Sequence, residues 1–228
     1  MEKQYRYQTK KISFAFLILL TSFLLTSCLD YVQAISYKDG KYTMYYKITV
    51  SKTLFALSGE DSDDYTDAFE QAFNDNSDES LSTKLPSNAK LKTVNTTNDI
   101  GYEISFSISP STTDENEKSF LPKASGTKCY IPFLLGNEEL DIASELGELA
   151  DEDDEYAQLF LSSSKCRVLV SKKIIPKVET AYFEGRGGQN ASIPIFDYGE
   201  SYCAEIPFAL LLEDRMYNFS RIVLIRGE

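Results

Sequence analysis

The most reactive side chains of this chain are four cysteine thiols, at Cys28, Cys129, Cys166 and Cys203. In thiol and serine hydrolases the nucleophile depends on a neighbouring histidine that accepts its proton. None of the 228 residues is a histidine. The sequence therefore excludes Ser-His-Asp and Cys-His catalytic groups, and it also excludes histidine-based zinc sites.

Cys28 stands directly after a leader that has the composition of an export signal. An uncharged, mostly apolar run at residues 12–25 follows four basic residues, which are Lys3, Arg6, Lys10 and Lys11. A transmembrane helix needs about 20 apolar residues, so this shorter run indicates a secretory signal. Its exit, Leu25-Thr26-Ser27-Cys28, resembles the lipobox of bacterial lipoproteins, in which an aliphatic residue and two small residues precede a cysteine.

The lipobox resemblance implies a lipid anchor. A signal peptidase would cut between Ser27 and Cys28, and Cys28 would carry a diacylglyceryl group on its sulfur and a fatty acyl group such as palmitate on its amine. Each buried methylene contributes about 0.8 kcal/mol, so several chains hold a domain on a bilayer. The protein would then be anchored on the extracytoplasmic side of a bacterial envelope. Leu29, rather than an aspartate, follows the cysteine, which favours the outer membrane. An incidental cysteine after an ordinary signal, or an uncleaved anchor helix, is the alternative.

The other three cysteines lie in strand-like, apolar surroundings. They are odd in number, so at most one internal disulfide can form among Cys129, Cys166 and Cys203. Three alternatives are open: buried free thiols, one disulfide in an exported protein, or a reactive or metal-binding thiol. No C-x-x-C pair supports the third.

Acidic and glycine-rich segments offer weaker candidates for chemistry. Acidic clusters at residues 60–64, 75–79 and 151–155 lack the glycine that an EF-hand loop requires, so we expect solvated helix starts and no metal or cofactor. The segment Gly185-Arg186-Gly187-Gly188 lacks the spacing of a phosphate-binding loop and predicts a turn. A hydrolase that uses two carboxylates, or Cys166, remains a minor alternative because it needs no histidine.

Charge and composition limit the partners and the domain count. Without residues 1–27 the chain has 19 basic and 34 acidic residues, a net charge of −15. Nucleic acid is excluded as a partner because phosphate binding needs clustered Lys and Arg, and we expect this acidity to keep the body off anionic headgroups. After a short tether at 28–30, residues 31–228 predict a single extracytoplasmic domain, with a candidate subdomain break near 111–119.

The secondary-structure pattern predicts hairpins, helices and further strands. Asp39-Gly40 suits a type I′ turn between strands at Tyr31–Tyr37 and Lys41–Ser51, and a second hairpin is predicted at 91–96 and 101–110. Helical spacing occurs at residues 63–73, 138–149 and 151–160. Further strands are predicted at 129–135, 167–173, 174–183, 192–197, 201–212 and 219–225. We therefore expect an α+β fold, with antiparallel β-hairpins and a sheet accompanied by a few short amphipathic helices.

The order of these elements resembles the LppM-type lipoprotein domain. The strand phrase Ile174-Ile175-Pro176-Lys177-Val178 before a glycine loop is also similar, although the tryptophan common after that loop in the family is absent here. This resemblance implies an α+β unit with a binding or envelope role and no catalysis.

Two functional hypotheses follow. The first is a non-enzymatic envelope lipoprotein that binds an envelope protein or another component close to the membrane. The second is an amphiphile-binding protein, in which the aromatic face of the first hairpin, with Tyr42, Met44 and Tyr46, lines an apolar cavity. Ordinary core packing of the same three side chains is the alternative to a cavity.

Overall fold

The protein is represented by a computed structural model, which describes residues 29–53, 85–134, 164–184, 190–208, 210 and 221–227. The strands are β1 (Leu29–Lys38), β2 (Lys41–Ser51), β3 (Lys90–Asn95), β4 (Asp99–Ile108), β5 (Lys123–Ser125), β6 (Lys128–Pro132), β7 (Lys165–Ser171), β8 (Val178–Glu184), β9 (Asn190–Ile193), β10 (Ile195–Asp197), β11 (Ser201–Pro207) and β12 (Arg221–Arg226). A short helix, α1 (Glu115–Ser119), lies between β4 and β5.

The predicted α+β fold is wrong. Of the described residues, 64% are in strands and 8% are helical, with α1 as the one short helix. The strands form two sheets that bury their inner faces in one shared hydrophobic core. Two sheets that cover each other leave no inner face for a layer of helices. The helices predicted at residues 63–73, 138–149 and 151–160 lie outside the described residues.

Both predicted hairpins are confirmed. β1 and β2 pair antiparallel across Asp39 and Gly40, which have φ angles of 52° and 78° as a type I′ turn requires. Tyr37 lies opposite Tyr42, as the two-residue turn predicts. β3 and β4 form the second hairpin, and β4 also pairs with β2. Local turn chemistry therefore accounts for two pairings, β1–β2 and β3–β4, whereas β2 and β4 pair across a long connection.

The larger sheet has seven strands in the order β10-β11-β7-β1-β2-β4-β3. β1 lies at its centre and pairs parallel with β7, in the register Asp30 opposite Lys165. The other pairings of this sheet are antiparallel. One parallel pair inside an otherwise antiparallel sheet needs a long connection, and 126 residues separate the end of β1 at Lys38 from the start of β7 at Lys165.

The smaller sheet has five strands in the order β5-β6-β12-β8-β9. The single strand predicted at residues 192–197 is in fact two strands, because β9 belongs to this sheet and β10 to the larger one. Pro194 stands between them, and a proline has no backbone N–H to continue a ladder. Similarly, the sequence predicts all of residues 172–177 in the strands at 167–173 and 174–183, but they form the turn between β7 and β8. The predicted turn at 185–188 lies outside the described residues.

Aromatic side chains join the two inner faces. The Tyr31 ring of β1 meets the Phe133 ring with centroids 5.4 Å apart, and Phe133 meets Phe183 of β8 at 5.2 Å. All three side chains are fully buried. Phe120, which follows α1, packs against Phe106 of β4 at 5.2 Å. Phe120 directly follows the candidate subdomain break at 111–119, and it belongs to the shared core.

Candidate functional site

The predicted ligand face points into the core. Met44 and Tyr46 are 0% and 1% exposed, and the Tyr46 ring lies 5.8 Å from the Phe106 ring. Tyr42 is half-buried, with its ring 4.9 Å from that of Tyr37. Burial raises the pKa of Tyr46 well above its usual range, so its hydroxyl stays neutral. The structure brings these residues together as packed core side chains.

Ser27 and Cys28, the predicted cleavage and lipidation residues, lie outside the described residues. The chain enters the domain immediately after them, since β1 begins at Leu29, which is 3% exposed. The sequence predicts a tether at residues 28–30. In the structure, Leu29 and Asp30 are instead the first two residues of the central strand. A lipid on Cys28 would therefore be attached directly to the centre of the larger sheet.

The three remaining cysteines are free and buried. Burial raises the pKa of each thiol, and for Cys166 the negative charge of Asp30 raises it further. A raised pKa keeps the sulfur as a thiol, whereas nucleophilic attack and metal binding need the thiolate. The surroundings of Cys166 are therefore unlike those of an activated nucleophile.

The part of the chain that the structure describes has neither a metal-ligand cluster nor a membrane-spanning helix. No group of three or more Cys, Asp or Glu side chains there is arranged to hold a metal ion. No helix among those residues has the length and apolar character needed to cross a bilayer. The three acidic clusters at 60–64, 75–79 and 151–155 lie outside the described residues.

Charged side chains cross the outer face of the larger sheet close to Cys28. Strand register places Glu205, Arg167, Val32, Lys47, Glu103 and Lys92 side by side across β11, β7, β1, β2, β4 and β3. Asp30 and Lys165 lie opposite each other in the next row toward residue 28. We call the charged residues of these two rows the ion-pair row: Asp30, Lys47, Lys92, Glu103, Lys165, Arg167 and Glu205.

Each acidic residue of the ion-pair row is paired with a base. Asp30 lies between two of them, with its carboxylate oxygens 3.7 Å from Lys47 Nζ and 3.4 Å from Arg167 Nη1. Lys165 Nζ is 3.0 Å from Glu205 Oε2, and Lys92 Nζ is 3.2 Å from Glu103 Oε2. Asp30 Oδ1 is buried without a hydrogen-bond partner. Its ion pair with Arg167, at 3.4 Å, therefore offsets the cost of burying this charged oxygen.

The bases of the ion-pair row are mostly more exposed than their acidic partners. The side chain of Lys165 is 56% exposed against 20% for Glu205, and that of Lys92 is 73% exposed against 27% for Glu103. Arg167 is 46% exposed against 30% for Asp30. Exposed ion pairs contribute only about 0–1 kcal/mol each to stability. The surface that this row presents to solvent is therefore basic.

The ion-pair row was not predicted from the sequence. Its signal is the charged residues at alternate positions of strands, such as Lys165 and Arg167 on either side of buried Cys166. Their partners come from strands far away in the chain, so the row exists only once the parallel β1–β7 register is known.

Comparison of the chain with models of protein families, with curated proteins and with solved structures found no match. The resemblances to lipobox signals and to the LppM-type domain therefore remain predictions from the sequence.

Proposed function

We propose that this protein is a lipid-anchored lipoprotein of the bacterial envelope, with a non-enzymatic binding or assembly role close to the membrane surface. The observation that carries the proposal is the junction between Cys28 and the domain. The central strand starts at the very next residue, Leu29, which is buried. An acylated Cys28 would hold the domain against the bilayer, where it would meet partners of the same membrane.

Two further observations support a binding role. Burial raises the pKa of the Cys166 thiol and favours its protonated form, which argues against the thiol-hydrolase alternative. The burial of Met44 and Tyr46, and the packing of the Tyr46 ring against Phe106, favour ordinary core residues over the lining of an amphiphile cavity. Envelope proteins are the proposed partners, and we expect contact through the surfaces nearest the bilayer.

Replacing the anchor residue tests the proposal. We expect Cys28→Ser to abolish incorporation of a labelled fatty acid in an expressing bacterium and to leave an uncleaved precursor, because the serine oxygen is not a substrate for diacylglyceryl transfer. Mass spectrometry of the purified chain measures both the leader and the lipid. Cys203→Ser is the matched control, since it removes another thiol and keeps Cys28. Normal lipid labelling of Cys28→Ser would refute the anchor.

A further inference from the structure

The described β-framework and the rest of the chain differ in charge. The whole chain has a net charge of −12, yet the described residues contain 16 Lys and Arg against 12 Asp and Glu, a net charge of +4. Residues 54–84 and 135–163 together hold 19 Asp and Glu and one Lys. The chain's overall acidity therefore does not describe the surface of the two sheets.

The ion-pair row, which has four bases and three acids, lies near the end of the larger sheet that follows Cys28. A strand rises about 3.3 Å per residue, so Asp30 and its neighbour Lys165 are about 7 Å along β1 from Cys28. The row opposite Val32 is about 13 Å along β1 from Cys28. Neighbouring strands are about 4.8 Å apart, so Arg167 and Lys47 are about 14 Å from Cys28 and Lys92, three strands from β1, is about 19 Å away. Long Lys and Arg side chains extend from their backbone toward charged groups at a membrane surface.

We propose that the ion-pair row is a second membrane contact, in which Lys92, Lys165 and Arg167 bind the phosphates of anionic lipid headgroups. The proposal rests on the lipid anchor at Cys28, which brings the row to the membrane. The acidic residues Glu103, Glu205 and Asp30 form ion pairs with the three bases and hold them in position. Each of these bases is more exposed to solvent than its acidic partner. Basic residues near an anionic bilayer gain electrostatic attraction that falls off within a Debye length.

The contact would orient the domain. A lipid on Cys28 alone lets the sheet tilt in any direction around its attachment point. Bases on one face, within about 20 Å of that point, pull that face toward the headgroups. The opposite end of β7, where Lys172 and Lys173 follow Ser171, would remain away from the surface.

Chemical labelling of the acylated protein tests this contact. The protein is purified from membranes and placed in vesicles of phosphatidylcholine, with or without about one third phosphatidylglycerol, and its lysines are acetylated briefly and quantified by mass spectrometry. We expect Lys92 and Lys165 to react at least about threefold more slowly on the anionic vesicles. Lys173, which is exposed at the far end of β7, should react equally on both. High salt should abolish the difference.

A matched pair of variants isolates the row from the total charge. Arg167→Gln and Lys173→Gln each remove one positive charge from the same strand region, but only Arg167 belongs to the ion-pair row. We expect Arg167→Gln to reduce the protection of Lys165 and Lys173→Gln to leave it unchanged. Equal effects of the two variants, or equal labelling of Lys165 on both vesicle types, would overturn the proposed contact.

The same spectra separate this inference from the proposed function. The lipid mass on Cys28 reports the anchor directly. An acylated protein with unprotected lysines contradicts the second contact and leaves the anchor standing, whereas a chain without lipid contradicts the anchor on which both depend.

Discussion

Buried titratable side chains of the core are held in their neutral forms. Cys166 is 0% exposed on the inner face of β7, and burial together with the charge of Asp30 raises the pKa of its thiol. Burial also raises the pKa of the Tyr46 hydroxyl. Both groups must stay protonated to remain in an apolar core.

This burial predicts a loss of stability at alkaline pH. The folded pKa of Cys166 lies above that of a free thiol, near 9.0, so the folded state binds its proton more tightly than the unfolded state does. The contribution is fully present below about pH 9 and is lost as pH rises toward the folded pKa. We expect the urea midpoint to stay level up to about pH 9 and to fall as pH rises above it, and to fall less in Cys166→Ala. An equal fall in the unsubstituted protein and in Cys166→Ala would show that the Cys166 thiol does not cause the alkaline loss of stability.

At the scale of elements, tight turns and close contacts between strands determine how the strands of the larger sheet pair. The Asp39-Gly40 turn sets the β1–β2 register by local backbone geometry. Further along, Gly101 of β4 lies opposite Thr49 of β2. A Cβ at Gly101 would stand 2.0 Å from the carbonyl oxygen of Ile48, so only glycine allows β2 and β4 to pair at this spacing.

We therefore expect Gly101→Ala to destabilise the fold by roughly 2–4 kcal/mol, because backbone atoms of β2 must move to admit the methyl group. Gly126→Ala is the matched control. Gly126 has a φ of 59° but no atom within 4 Å of a Cβ, so its substitution should cost only about 1–2 kcal/mol of backbone strain. Urea unfolding measures both variants. A loss for Gly101→Ala no larger than that for Gly126→Ala would show that the contact with β2 does not require glycine at position 101.

At the scale of the whole molecule, one polar side chain joins the two sheets. Gln33 of β1 is 0% exposed, and its Nε2 donates to the carbonyl of Pro132 at 2.6 Å. Its Oε1 accepts from the Leu134 N–H at 3.3 Å and from the Tyr31 hydroxyl at 2.8 Å. The amide thus pairs buried backbone groups at the end of β6, which would otherwise have to enter the core without partners.

Removing this link should weaken the packing of the sheets. We expect Gln33→Ala to lower the free energy of unfolding by about 2–4 kcal/mol, because it leaves a small cavity and two buried backbone groups without their partner. Tyr31→Phe keeps the ring and removes only the hydroxyl, so its loss should be nearer 1 kcal/mol. Urea denaturation compares the two, and a loss for Gln33→Ala no larger than for Tyr31→Phe would show that the amide does not link the sheets.

Features that depend on a few neighbouring residues could be read from the sequence. The leader and Cys28 form one local pattern, whose interpretation stays a prediction, and the hairpin turns with the alternation of buried residues in β2 and β4 form another. The second pattern predicted two strand pairings correctly, β1–β2 and β3–β4. These local patterns could not establish the fold class, because patterns at residues 63–73 and 138–160 suggested helices and no local signal shows that two sheets cover each other.

Only the tertiary structure decided the features that join distant residues. β1 and β7 pair although most of the chain's middle lies between them, Pro194 sends β9 and β10 to different sheets, and Gln33 meets the end of β6. The ion-pair row depends on the same distant register. Such pairings are selected by the fit of whole faces rather than by local conformation, since only the packed sheets bury the apolar side chains and satisfy the polar groups together.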